Sequence, residues 1–127
     1  MIRNSRLRAV AIAAMLAIWS GAAVADDVAG VWLHEDGSSK VRFASCGPSI
    51  CGTIVWLKDA SGPWKIGQRV FYDMTPDGAS SWSGKAFEAT SGREYTGKMT
   101  LKGSSLTTAG CVLAGLICKS IVWSRSQ

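Results

Sequence analysis

The chain has 127 residues, of which 47% are hydrophobic and 18% charged. That length fits one domain and argues against two, and so much apolar content with so little charge excludes a disordered tail. No apolar run reaches the roughly 18 residues a membrane-spanning helix needs, and the formal charge of +5 owes much to the first 25 residues.

Residues 1–25 read as a secretory signal peptide. Arg3, Arg6 and Arg8 supply a positive start, and Ala9 to Trp19 is an apolar run of 11 residues, too short to span a bilayer. Ala23-Val24-Ala25 offers the small residues a signal peptidase needs, so cleavage near Ala25 leaves one domain, residues 26–127, in the periplasm or secreted. No Cys follows the run, which argues against a lipid anchor. Losing the three Arg lowers the formal charge from +5 to +2. A patch-driven nucleic-acid binder needs clustered cations. Here the Lys residues are scattered, so no nucleic-acid partner is expected.

The mature part shows period-two alternation broken by turns, with almost no helical periodicity. Strands are predicted over 29–35, 38–46, 51–58, 67–72, 81–88, 93–101, 104–112 and 116–124. Asp36-Gly37, Gly47-Pro48, Ser61-Gly62-Pro63, Asp77-Gly78, Ser91-Gly92, Lys102-Gly103 and Ala114-Gly115 punctuate them. Tyr95, Gly97, Met99 and Leu101 alternate with Glu94, Thr96, Lys98 and Thr100, the pattern of a half-buried strand. Consecutive short antiparallel strands leave open edges. A small up-and-down antiparallel β-barrel of about eight strands removes those edges by closure, with a two-sheet sandwich as the alternative.

Four Cys in a small exported domain point to disulfides before metal. Placing Cys46 opposite Cys51 pairs Phe43 with Ile54 and Val41 with Trp56. Placing Cys111 opposite Cys118 pairs Leu106 with Trp123 and Thr108 with Ile121. Each register gathers apolar groups on one face, so strand geometry favours Cys46–Cys51 and Cys111–Cys118. Loop-closure entropy alone would favour longer-range bridges. A redox-active pair is the functional alternative, although nothing nearby would lower a thiol pKa.

Gly30-Val31-Trp32 and Trp123-Ser124-Arg125 resemble the ends of a lipocalin-type barrel. The resemblance implies that Arg125 packs across Trp32 as a cation–π pair that closes the barrel. A closer resemblance runs through Ser39-Lys40-Val41, Cys46-Gly47, the segment from Ile50 to Leu57, Trp82-Ser83-Gly84, Gly92-Arg93-Glu94-Tyr95, Gly110-Cys111-Val112 and Cys118 to Trp123. In these the chain resembles the exported bacterial domain of unknown function 2147 family over roughly residues 28–125. That implies a small lipocalin-like barrel in the bacterial envelope and no particular reaction. Where the family places an Asp-Pro turn, this chain has Glu88-Ala89-Thr90-Ser91.

Catalytic residues are not expected. His34 is the one His, with Glu35 and Asp36 beside it. Catalysis would need a nucleophile or carboxylate brought into its reach. Asp73, Asp77, Glu88 and Glu94 flank turns, and no zincin, nucleophile-elbow, phosphate-loop or EF-hand spacing occurs. No metal or cofactor is expected. The inward set is Val41, Phe43, Ile54, Trp56, Trp82, Tyr95, Met99, Leu101, Leu106, Thr108, Ile121 and Trp123. It either packs a filled core or lines a pocket for a small apolar or aromatic ligand. The residues expected to touch such a ligand are Phe43, Trp56, Trp82, Tyr95, Met99 and Lys119, with Lys119 reaching the barrel mouth. Val55, Leu57 and Val122, read as outward, motivate the alternative of a structural or interaction protein, with a protein partner or a second copy on that face.

Overall fold

Among the described residues, alternation between tight turns produces eight strands: β1 (Gly30–His34), β2 (Ser39–Cys46), β3 (Ser49–Leu57), β4 (Arg69–Gly78), β5 (Ser81–Glu88), β6 (Arg93–Lys102), β7 (Ser105–Val112) and β8 (Ile117–Ser126). The computed structural model describes residues 28–127. The expected signal peptide and its cleavage site at Ala25 lie outside them. Each strand pairs antiparallel with the next, and β8 pairs back on β1, so the sheet is a closed barrel. The expected up-and-down barrel is the fold; the sandwich is not.

Two disulfides staple hairpins at opposite ends of the barrel, Cys46–Cys51 at the β2–β3 turn and Cys111–Cys118 at the β7–β8 turn. The β7–β8 register is the expected one, with Leu106 opposite Trp123, Thr108 opposite Ile121 and Gly110 opposite Lys119. The β2–β3 register differs. Cys46 faces Ser49, Cys51 faces Ala44, and Phe43 faces Gly52 rather than Ile54. The turn at Gly47-Pro48 is only two residues long, and loop length fixes hairpin register, so the disulfide bridges diagonally.

A bulge between Lys40 and Val41 then puts Lys40 opposite Trp56 and Val41 opposite Ile54. One extra β3 residue reverses the facing of everything beyond it. Trp56 therefore stands exposed outside, with the Lys40 ammonium 5.5 Å from its ring centre. Leu57, expected outside, packs against the core.

β4 runs past its expected end at residue 72, because Asp73 is a bulge and not a turn. Asp73 adopts a left-handed φ of 55°, which allows both Phe71 and Met74 to be buried. Its carbonyl oxygen lies where a Cβ on Gly84 would be, 2.5 Å away, so only glycine fits beneath the bulge.

The core fills one end of the barrel, the floor, with Trp32, Phe43, Ile50, Met74, Trp82, Met99 and Leu106, all buried. The Trp32 indole donates to the Val28 carbonyl at 2.9 Å. Arg125 lies 4.2 Å over the Trp32 ring and donates to the Ala29 carbonyl at 2.7 Å, closing the floor. Gly30 makes room for this lid: its φ is +127°, and a Cβ there would meet the guanidinium at 3.0 Å. Trp82 Nε1 is buried without a hydrogen-bond partner among the described residues.

Candidate functional site

The opposite end, the mouth, is open. A cavity of about 710 Å³ descends between the loops joining β1–β2, β3–β4, β5–β6 and β7–β8. It exists because inward residues shrink toward that end. On β5 they go from Trp82 to Ala86, and on β7 from Leu106 through Thr108 to Gly110. Below the rim, where Glu88 and Val112 line the cavity, those two strands hold no large inward side chain above Trp82 and Leu106.

Aromatic rings climb one wall. Phe43 in the floor packs on Phe71 at 5.6 Å, Phe71 meets Trp123 edge-on at 6.5 Å, and Trp123 meets His34 at 5.0 Å. Phe71, Trp123 and His34 line the cavity, with Val41, Ile54 and Ile121. Such offset and edge-on pairs hold rings in fixed orientations. Thr108 is buried at the cavity wall, and its hydroxyl accepts the Trp123 indole N–H at 2.8 Å. The Thr108 hydroxyl proton is therefore free of that bond and can be donated elsewhere.

Charged groups belong to the rim. His34 Nδ1 lies 2.8 Å from the Asp36 carboxylate and 3.2 Å from the Asp36 backbone N–H. A neutral imidazole accepts from that N–H, whereas an imidazolium donates to the carboxylate. Hydrogen bonds from Ser38, assisted by His34, hold the Asp36 carboxyl below its ordinary range. Lys58, Asp59, Glu88 and Lys119 complete the rim, and Trp64 comes from the β3–β4 loop. Among the described residues no Ser, Cys or second carboxylate hydrogen-bonds His34, and no group of three metal-ligating side chains is gathered.

The residues expected to touch a ligand fall in three places. Tyr95 and Lys119 line the cavity. Phe43, Trp82 and Met99 are buried in the packed floor beneath it. Trp56, turned outward by the bulge in β3, is on the outer wall. The pairing expected of Trp32 with Arg125 is present. Leu57, Val70 and Phe71 line the cavity without having been expected there. The usable signal for this placement was side-chain size along each strand, since alternation reveals which face a residue takes but not its height in the barrel.

Residues 30–125 match the family described as "Uncharacterized protein conserved in bacteria (DUF2147)". No curated protein and no solved structure matches the chain. The matched segment holds all but the last residue of the barrel strands, both disulfides and the Trp32–Arg125 lid. The chain belongs to this bacterial family.

Proposed function

We propose that this is an exported, non-catalytic binding protein that holds a small, mainly apolar or aromatic molecule in the open half of its barrel. The observation that carries the reading is the cavity of about 710 Å³ above a packed floor, within the usual range of roughly 300–1,000 Å³ for small-molecule sites. Apolar walls at Val41, Ile54, Phe71, Ile121 and Trp123 favour a hydrophobic body, and the Thr108 hydroxyl and Tyr95 offer polar anchors. Export is supported by the signal-like residues 1–25 and by two disulfides, which persist in oxidising compartments. The absence of catalysis is argued from His34, whose Nδ1 is engaged by Asp36 and whose ring has no nucleophile bonded to it among the described residues. The filled floor and the exposed Val122 favour a second reading, an envelope interaction protein with no ligand.

The test compares native with denatured mass for protein purified from an exporting host with its disulfides intact. Gly110→Phe is the control. Gly110 lines the cavity, and a Cβ there would meet Tyr95 Cβ at 3.7 Å, an ordinary contact, so a larger side chain has room to enter the lumen. The expected result is an excess mass on the wild-type monomer that is released on denaturation and missing from Gly110→Phe. A bare wild-type monomer that also fails to bind a hydrophobic naphthalene-sulfonate dye at one per chain overturns the reading. A bare dimer favours the interaction protein.

A further inference from the structure

The mouth has a second unusual feature in its β7–β8 hairpin. Among the described residues, four of the seven exposed large apolar side chains lie together at the end of the β7–β8 hairpin: Val112, Leu113, Leu116 and Ile117. Leu113 and Leu116, at the tip of the β7–β8 hairpin, are 65% and 83% exposed. Scattered surface apolar groups need no explanation, but a contiguous cluster at a loop tip does.

The backbone adds an independent observation. Leu113 and Ala114 both adopt left-handed conformations, with φ of 55° and 57°. Two such residues in a row are the place where Asn-Gly sits without strain. A solvent-facing Leu there breaks both the turn rule and the exposure rule, and violations of that kind concentrate at functional positions. Cys111–Cys118 clamps the base of this hairpin.

The charge on the last three strands is positive, although Asp77 of β4 acts on Lys98 and Glu35 accepts from the Val122 backbone N–H. From residue 95 to the end the sequence contains no Asp or Glu, while Lys98, Lys102, Lys119 and Arg125 are present. Lys98 reaches the tip, since its ammonium would lie 3.4 Å from a Cβ on Gly115. Lys119 stands on the rim beside Cys118. The rim carboxylates Asp36, Asp59 and Glu88 come from the other loops. An apolar tip flanked by cations complements an anionic bilayer surface, whose headgroups attract Lys while the acyl boundary accepts Leu. The barrel wall carries Lys40, Arg42, Lys85 and Glu94 on its strands, so the apolar tip is the part suited to enter an acyl boundary.

We infer that the barrel docks on anionic lipid through the β7–β8 hairpin tip, with Leu113, Leu116 and Ile117 entering the interface and Lys98 and Lys119 facing headgroups. Val112, Ile117, Cys118 and Lys119 also line the cavity, so the docked tip is one wall of the entrance. That last link rests on the proposed ligand-binding function; the docking itself does not.

The test uses the purified chain and sedimentation with large vesicles of phosphatidylethanolamine and phosphatidylglycerol, about a quarter of the lipid anionic, against vesicles of phosphatidylcholine alone. Association with the anionic vesicles is expected, weakened by salt. The triple variant Leu113→Asn, Ala114→Gly, Leu116→Ser should lose at least about tenfold in partitioning. Its turn is relieved of strain, so its melting temperature should hold or rise, which separates lost docking from lost folding. Gly110→Phe, with a filled lumen and an intact tip, should bind vesicles like the wild type. Loss of vesicle binding in Gly110→Phe would mean that the lumen was taking up lipid, and the docking inference would fall. Equal association of the triple variant and wild type, or none by either, also overturns it. So does a wild-type dimer that the triple variant breaks without any vesicle binding, which would make a second copy the occupant.

Discussion

At the floor of the barrel the inward positions hold Trp32, Phe43, Met74, Trp82, Met99 and Leu106, buried and closed beneath by Arg125. At the mouth the same strands present Ser39, Ala86, Thr108 and Gly110, and a cavity of about 710 Å³ remains. From β5 to β7 the pairing and alternation run unbroken from one end to the other, so there the difference is one of side-chain volume at fixed backbone geometry. An eight-stranded barrel is just wide enough to be filled or to hold one small ligand, and this chain does one at each end. Stability should therefore reside in the floor, and binding in the mouth.

The largest effect that tests this division is a matched pair of truncations. Trp32→Ala removes a fully buried indole, its hydrogen bond to Val28 and its stack with Arg125, and should cost about 3–5 kcal/mol. Ile121→Ala, at the cavity wall, should cost only about 1–2 kcal/mol, because one side of Ile121 already lacks packing partners. Urea denaturation measures both. Equal costs would show that the mouth is packed as tightly as the floor and would end the distinction.

The same volume argument decides what could be read in the sequence. Alternation and turn residues located all eight strands, and the Trp32–Arg125 resemblance implied the closure. The β7–β8 register followed from Leu106, Thr108, Ile121 and Trp123 because that hairpin is regular. The β2–β3 register did not, because the two-residue turn at Gly47-Pro48 and the bulge beside Val41 are backbone events that leave the hydrophobic pattern unchanged. That bulge placed Trp56 outside, and the Asp73 bulge hid the second half of β4 behind residues that look like a turn. Height in the barrel was legible but unused: Trp82 to Ala86 and Leu106 to Gly110 spell the taper directly. Phe71 reaches the site through cross-strand packing on Trp123, which no local pattern encodes.

A smaller effect separates the two disulfides, one at each end. Cys46 and Cys51 are 5 residues apart, and Cys111 and Cys118 are 7 apart. Closing such short loops contributes about 2 kcal/mol each on the chain-entropy account. Replacing either pair by Ala should lower stability by about that much in denaturant titrations. Only the Cys111→Ala/Cys118→Ala pair should speed release of a bound molecule, since Cys118 lines the cavity and the floor pair lies at the other end. Equal release rates in the two pair variants would detach the mouth hairpin from binding.

The smallest effect concerns the barrel's outer wall. Outside, Tyr72 donates to the Glu94 carboxylate, which also pairs with Lys85 at 3.6 Å, so one cluster ties β4, β5 and β6 together. The hydrogen bond to Glu94, with some burial, pushes the Tyr72 phenol from 10.0 up to about 12. A phenol with a raised pKa contributes its stability fully below pH 10, where it is neutral in folded and unfolded chains alike. Between pH 10 and 12 the unfolded chain ionises first, so the contribution falls as pH rises. The cluster is exposed and screened, so the loss should stay below about 1 kcal/mol. Tyr72→Phe should be slightly less stable than the wild type at pH 8, and the gap should close by pH 12. A gap that stays constant across this range would mean that Tyr72 acts by packing alone, leaving the wall beside the mouth held by its backbone ladder and not by this outer tie.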